Sequence, residues 1–69
     1  MEKMKFETNI NCNGCLSAVR PFLEEEKRIK KWEVDLDSES KTLTVEGYDI
    51  TAAEITRLIG EAGFNAKEL

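Results

Sequence analysis

Cys12 and Cys15 are the only cysteines in the chain, set in the run Cys12-Asn13-Gly14-Cys15. Thiolates at this spacing make a two-sulfur clamp, able to take a soft metal ion or to close into a disulfide. The chain has no histidine. A closed structural zinc site uses four protein ligands, so one copy of this chain cannot complete one. Two thiolates suit a soft monovalent ion such as Cu(I), which accepts few ligands. Zn(II), Cd(II) or Hg(II) become eligible when a partner, a second protomer or small thiols fill the rest of the shell.

The same pair supports a second reading, thiol–disulfide exchange with Cys12 as the exposed nucleophile and Cys15 as the resolving thiol. The chain is short for a thioredoxin-like βαβ fold and lacks a Trp-Cys-Gly-Pro context: Trp32 is remote from the pair in sequence, and Pro21 comes well after Cys15. No general acid, base or substrate cleft stands out, so no enzyme activity is expected.

Two elements must position the pair. Met4, Phe6, Thr8 and Ile10 alternate with Lys5, Glu7 and Asn9, a period of two that predicts a half-buried strand leading into the cysteine loop. From about Asn13 to Lys30 the period becomes helical, with Leu16, Val19 and Leu23 on one face and Glu24/Arg28 and Glu26/Lys30 spaced for i,i+4 pairing. Pro21 inside this stretch removes a donor and crowds the Ser17 carbonyl, which predicts a bend. A strand turning into a helix aims backbone N–H groups and the positive end of the helix dipole at the turn, where thiolates are favoured over thiols. Gly14 is expected to let the backbone turn tightly between the cysteines.

Further along, Trp32, Val34 and Leu36 alternate with Glu33 and Asp35, and Leu43 and Val45 alternate within 42–46, with polar turn residues at 37–41 between. This predicts an antiparallel hairpin. Thr51 and Glu54 form a capping box; Ile55, Leu58, Ile59 and Ala62 repeat at helical spacing, and Gly63 supplies a stop, so a helix is predicted over 52–62. A short strand within 64–69 completes the order βαββαβ. Its natural packing is an α+β ferredoxin-like sandwich, a four-stranded antiparallel sheet with both helices on one face and strands one and three central.

The chain's 69 residues make one small domain, spanning 1–69, with 41% hydrophobic and 35% charged residues, the balance of a globular protein. Fourteen acidic against ten basic residues leave a net charge of −4, so nucleic acid is excluded as a partner. The N-terminus, Met1-Glu2-Lys3-Met4-Lys5-Phe6, lacks the apolar run of a signal peptide, and no stretch approaches the ~20 apolar residues of a membrane span. The expectation is a cytoplasmic protein without membrane insertion, where a lone cysteine pair is metal-binding or catalytic rather than structural.

Ile10-Asn11-Cys12-Asn13-Gly14-Cys15, after a strand and before a helix carrying Val19 and Leu23, resembles the heavy-metal-associated domain family, whose motif is Met-x-Cys-x-x-Cys. The likeness extends along the chain: Ile29, Trp32 and Val34 match the family's apolar spacing in strand two, and Glu61-Ala62-Gly63-Phe64 looks like its late Ala-Gly-aromatic segment. That family includes copper chaperones and the metal-binding domains of copper-transporting P-type ATPases. The resemblance implies the same ferredoxin-like fold, metal held by Cys12 and Cys15, and a monomeric metallochaperone. Its partner would be a P-type ATPase or another Cys-x-x-Cys protein, with a metal-bridged dimer as the four-thiolate alternative.

Several positions depart from the family pattern. Ile10 stands where Met is usual and is expected to anchor the loop by apolar packing. Asn9 replaces the usual Gly, and neutral Asn11 favours Cu(I) over zinc. Phe64 is typical of the ATPase domains, whereas the start at Met1 and the stop just after the fold favour a free-standing carrier. Trp32 and Met4 are read as packing residues, and Arg20 as an exposed arginine.

Overall fold

The computed structural model describes residues 2–69, so Met1, the start residue of the sequence reading, lies outside the described residues. The elements run β1 (Glu2–Thr8), α1 (Asn13–Glu24), β2 (Ile29–Val34), β3 (Leu43–Gly47), α2 (Ala52–Glu61) and β4 (Ala66–Glu68). All strand pairs are antiparallel in the order β2-β3-β1-β4, with β1 and β3 central, as the ferredoxin-like reading requires.

Alternation along β1 sets the two faces of the sheet. Phe6 and Thr8 point to the buried side with Leu43 and Val45 of β3, while Lys5 and Glu7 lie on the open side. On the buried side Val19 and Leu23 of α1 and Ile55 and Ile59 of α2 join Phe6, Ile10, Leu43, Val45 and Ile50 in a single core, so both helices cover one face. Withdrawing such side chains from water stabilises a domain by about 1.5–3 kcal/mol each, the main favourable contribution in so small a chain. Met4, Trp32 and Phe64 pack half-buried at the margin of this core. Trp32 also carries Arg20 over its ring, 5.7 Å from the centroid.

α2 matches the sequence reading closely. Thr51 is extended and caps the Glu54 N–H at 3.3 Å, and after the helix Gly63 takes φ of 93°, a conformation that favours glycine.

α1 is shorter than its charge pattern implied. It ends at Glu24, after which Glu26 N–H bonds the Leu23 carbonyl at 3.3 Å and the chain turns towards β2. Apolar side chains stop recurring at helical spacing after Leu23, so a longer helix would bury nothing more, whereas Ile29 is drawn into the sheet. Pro21 lies within the helix, which continues through it to Glu24. The pairs expected at Glu24/Arg28 and Glu26/Lys30 are replaced: Glu24 lies 3.6 Å from Arg20, and Arg28 bonds Glu26 and Glu54. Arg28 also donates to the Asp49 carbonyl at 3.2 Å, clasping the α1–β2 connection to the start of α2.

β2 stops at Val34 rather than reaching Leu36. At its other end the register steps from Ile29↔Gly47 to Lys31↔Glu46, which leaves Lys30 as an extra bulged residue. Gly47 sits opposite this bulge, and a Cβ there would overlap the Arg28 carbonyl and lie 3.2 Å from the Ile29 Cα. Gly60, on the exposed side of α2, has no such neighbour within 4 Å.

Two outcomes follow. Gly47→Ala is expected to destabilise the fold by about 1–3 kcal/mol, as overpacking does, and Gly60→Ala to stabilise it by about 0.5–1 kcal/mol; urea unfolding of the two variants checks this. Hydrogen bonds from Arg28 hold the Glu26 carboxyl down at about 2 from an ordinary 4.5. The folded-state value is depressed, so this contribution is full above about pH 4.5 and is lost as pH falls through about 2. An Arg28→Met variant should therefore lose less stability than the wild type between pH 5 and pH 2 in the same unfolding measurement.

Candidate metal centre

β1 delivers the chain to the site and α1 carries it away. The alternation of β1 continues past its last paired residue, so that Ile10 is fully buried although it lies in the loop. Ile10 thus anchors the loop in the core, as apolar packing at that position predicts. Two residues later Cys12 is exposed.

Cys12 is the N-cap of α1. Its backbone is extended (φ −154°, ψ 165°), its carbonyl accepts the Leu16 N–H at 3.0 Å, and its Sγ accepts the Cys15 N–H at 3.2 Å. A sulfur therefore occupies the place where Ser, Thr, Asp or Asn usually caps a helix. The expectation of a helix N-terminus at the motif holds, but the capping role of Cys12 itself was not read from the sequence.

Cys15, one turn into α1, is half-buried and packs against the core. The two Sγ atoms are 2.7 Å apart, both cysteines are free thiols, and the Asn11 Oδ1 lies 3.7 Å from the Cys15 Sγ. Contact with the Cys15 thiol lowers the pKa of Cys12 first, aided by the backbone N–H groups of Cys15 and Gly14. Cys15 moves the other way, first through its hydrogen bond with the Cys12 sulfur and then because burial and the Cys12 charge oppose a second thiolate. The pair is polarised, with the exposed Cys12 the more acidic of the two.

Gly14 does not serve the tight turn expected of it. It is already inside α1, Gly63 is the only glycine with positive φ among the described residues, and a Cβ on Gly14 would meet the Cys12 Sγ at an ordinary 3.9 Å. The helix start itself, rather than a glycine turn, makes the sulfurs converge. Arg20 is engaged by Trp32 and Glu24. Among the described residues no group of three or more cysteine or acidic side chains could jointly hold a metal ion. A hollow of about 520 Å³ lies on the open sheet face between Lys5, Glu33 and Thr44, and neither cysteine lines it. The site is therefore a pair of thiols, one exposed and one half-buried, with no acidic side chain grouped with them as a third ligand among the described residues.

No protein-family model and no curated protein matches the chain. Solved structures do. A copper binding domain from HMA7, a P-type ATPase, superposes with a TM-score of 0.86 at 24% identity, covering 100% of this chain and 95% of that one. The yeast copper transporter domain CCC2A, solved in apo and Cu(I) loaded states, gives 0.83 at 20% identity over 100% and 96%. The N-terminal domain of ZntA in its Zn(II) form gives 0.78 at 13% identity over 96% and 89%. At these identities the likeness is one of fold, and the fold is the ferredoxin-like one of heavy-metal-associated domains.

The polarised pair has a measurable consequence. At neutral pH and limiting iodoacetamide, Cys12 is expected to be alkylated ahead of Cys15, since the thiolate is the nucleophile and Cys12 is the more exposed. Peptide mapping by mass spectrometry reads the order; equal labelling, or Cys15 first, contradicts the polarisation.

Proposed function

We propose that the chain is a metal carrier that holds one soft ion, Cu(I) before others, between Cys12 and Cys15 and passes it to a partner bearing a similar cysteine pair. The observation that carries this reading is the ligand set: two converging sulfurs, one of them exposed, with no third metal-ligating side chain grouped with them among the described residues. Such a site leaves coordination positions open for an incoming thiolate. Structures of the same fold are described as binding copper or Zn(II), which supports a soft or borderline metal. Neutral Asn11 beside Cys15 adds no charge that would favour a dication, and this supports Cu(I).

Transfer by ligand exchange conserves charge and oxidation state. A partner thiol loses its proton and its sulfur bonds the ion. One of the bonds to Cys12 or Cys15 then breaks, and the freed sulfur takes up a proton. Copper stays Cu(I) throughout. Exposed Cys12 is the natural first sulfur to exchange, whereas Cys15 is held by the core. Two sulfurs bonded to one ion cannot also touch each other, so loading requires the pair to open from 2.7 Å.

The partner that fits is a metal-transporting P-type ATPase or another Cys-x-x-Cys protein, met in the cytoplasm. No described helix is long and apolar enough to cross a membrane. With zinc, a metal-bridged dimer would supply four thiolates from two copies of the chain. The reading contains no catalytic step. Direct contact between the sulfurs also favours the rival reading, a thiol–disulfide protein using the same pair.

Anaerobic titration with Cu(I) against a competing chelator should give one ion per chain, and a Cys12→Ser/Cys15→Ser variant should give none. A complex that survives in that variant, or its absence in the wild type, overturns the proposal. Turnover of a disulfide substrate by the wild type would instead establish the redox reading.

A further inference from the structure

The loop that carries the thiols is gripped on both shoulders by side chains outside the Cys-x-x-Cys motif. On one shoulder stands Thr8, the last residue of β1 and only 9% exposed. Its hydroxyl donates to the Lys41 carbonyl at 2.6 Å and accepts the Ile10 N–H at 3.2 Å. Its own N–H bonds the Ser40 carbonyl at 3.0 Å. The β1–β3 pairing ends at Phe6↔Leu43, so these bonds carry the attachment of β1 onward into the turn between β2 and β3. Lys41 is itself constrained there. It has φ of 46°, a left-handed conformation unusual for a residue with a side chain, and its ammonium bonds the Leu36 carbonyl at 2.8 Å.

On the other shoulder the Asn9 Oδ1 accepts the Asn65 N–H at 2.8 Å, tying the loop to the entry of β4. Between the two shoulders Ile10 is sunk in the core. Three consecutive residues are thus held by three different devices: a hydroxyl bonded both ways, a side-chain amide and an apolar plug. The cysteines follow with only Asn11 intervening. None of the bonds from Thr8 or Asn9 reaches a sulfur, so whatever these residues do for the site they do through the path of the backbone.

We propose that Thr8 and Asn9 are the positioning residues of the cysteine loop, fixing the path of residues 9–12 and with it the placement of Cys12 against Cys15. The proposal rests on the metal-carrier reading for its effect on affinity, but the ordering of the loop is independent of that reading. The chemistry of Thr8 also separates positioning from plain packing. Thr8→Val keeps the shape and loses the hydroxyl, leaving the Ile10 N–H and the Lys41 carbonyl without their partner. Thr8→Ser keeps the hydroxyl and loses a methyl group. A packing residue tolerates Val better than Ser, and a positioning residue the reverse.

The test measures amide hydrogen exchange of Ile10 and Cys15, and Cu(I) affinity by chelator competition, in wild type, Thr8→Val, Thr8→Ser and Asn9→Ala. Asn9 is exposed, so its variant folds even where Thr8→Val does not. Faster exchange at Ile10 and Cys15 and an affinity about tenfold weaker are expected for Thr8→Val and Asn9→Ala, the low end of the loss seen when residues supporting a metal ligand are removed. Thr8→Ser should stay near the wild type in both measurements. Wild-type exchange and affinity in Asn9→Ala, or a Thr8→Ser variant as impaired as Thr8→Val, overturns the proposal. Should the wild type take no Cu(I) while the exchange pattern holds, the carrier reading falls and the positioning of the loop stands.

Discussion

Ile10 is withdrawn from solvent completely, and Cys12, two residues further on, is exposed. The chain therefore has to come out of the core within the span of Asn11, and the remaining organisation of the site follows from that exit. Because Ile10 belongs to the same core as Phe6 and Val19, the end of β1 and the axis of α1 are set by one packing solution. Because Cys12 leaves that core in an extended conformation, it falls at the N-cap of α1, where its sulfur meets the Cys15 N–H. Apolar burial thus places the sulfurs, and their mutual contact, aided by the N–H groups of the helix start, makes Cys12 the more acidic.

Stability and chemistry occupy opposite ends of the sheet. The Arg28 clasp and Gly47 lie where β2 begins and β3 ends, while the cysteine loop follows the other end of β1. At the first end the backbone is packed so closely that a methyl group would overlap the Arg28 carbonyl. At the second, Cys12 and Asn13 stand in water, with Cys15 half-buried behind them. The proposed ligand exchange would need exposed thiols, and a small domain has little apolar area to spare for anchoring them. Placing the Arg28 ion pairs and the tight backbone contact at the opposite end of the sheet from the thiols lets the site stay open without exposing the core.

Most of the fold was legible because its signals are local and repeat. Phe6, Thr8 and Ile10 declare a strand by alternation, and Thr51 to Gly63 declare a helix with both ends marked. The end of α1 was not legible. Glu24, Glu26, Arg28 and Lys30 satisfy the spacing of helical ion pairs, but spacing shows only which partners a helix would offer. Arg28 instead meets Glu54, far away in sequence, once Ile29 has entered the sheet. Gly14 misled in a similar way, since a glycine between two cysteines suggests a turn, yet the helix has already begun there.

Residue types alone determined that any chemistry must run through two thiols without histidine, and periodicity determined that those thiols follow a strand and open a helix. Both are properties of the chain within a dozen positions, where covalent geometry limits the choices. Only the tertiary structure decided that Cys12 and not Cys15 is the exposed and more acidic thiol, because that difference comes from the contact of the two sulfurs, from the cap geometry and from packing against a distant core. It alone decided, too, that Thr8 bonds Lys41 and Asn9 bonds Asn65. Such contacts join residues tens of positions apart, and no local pattern records them because their energy exists only once the sheet has closed.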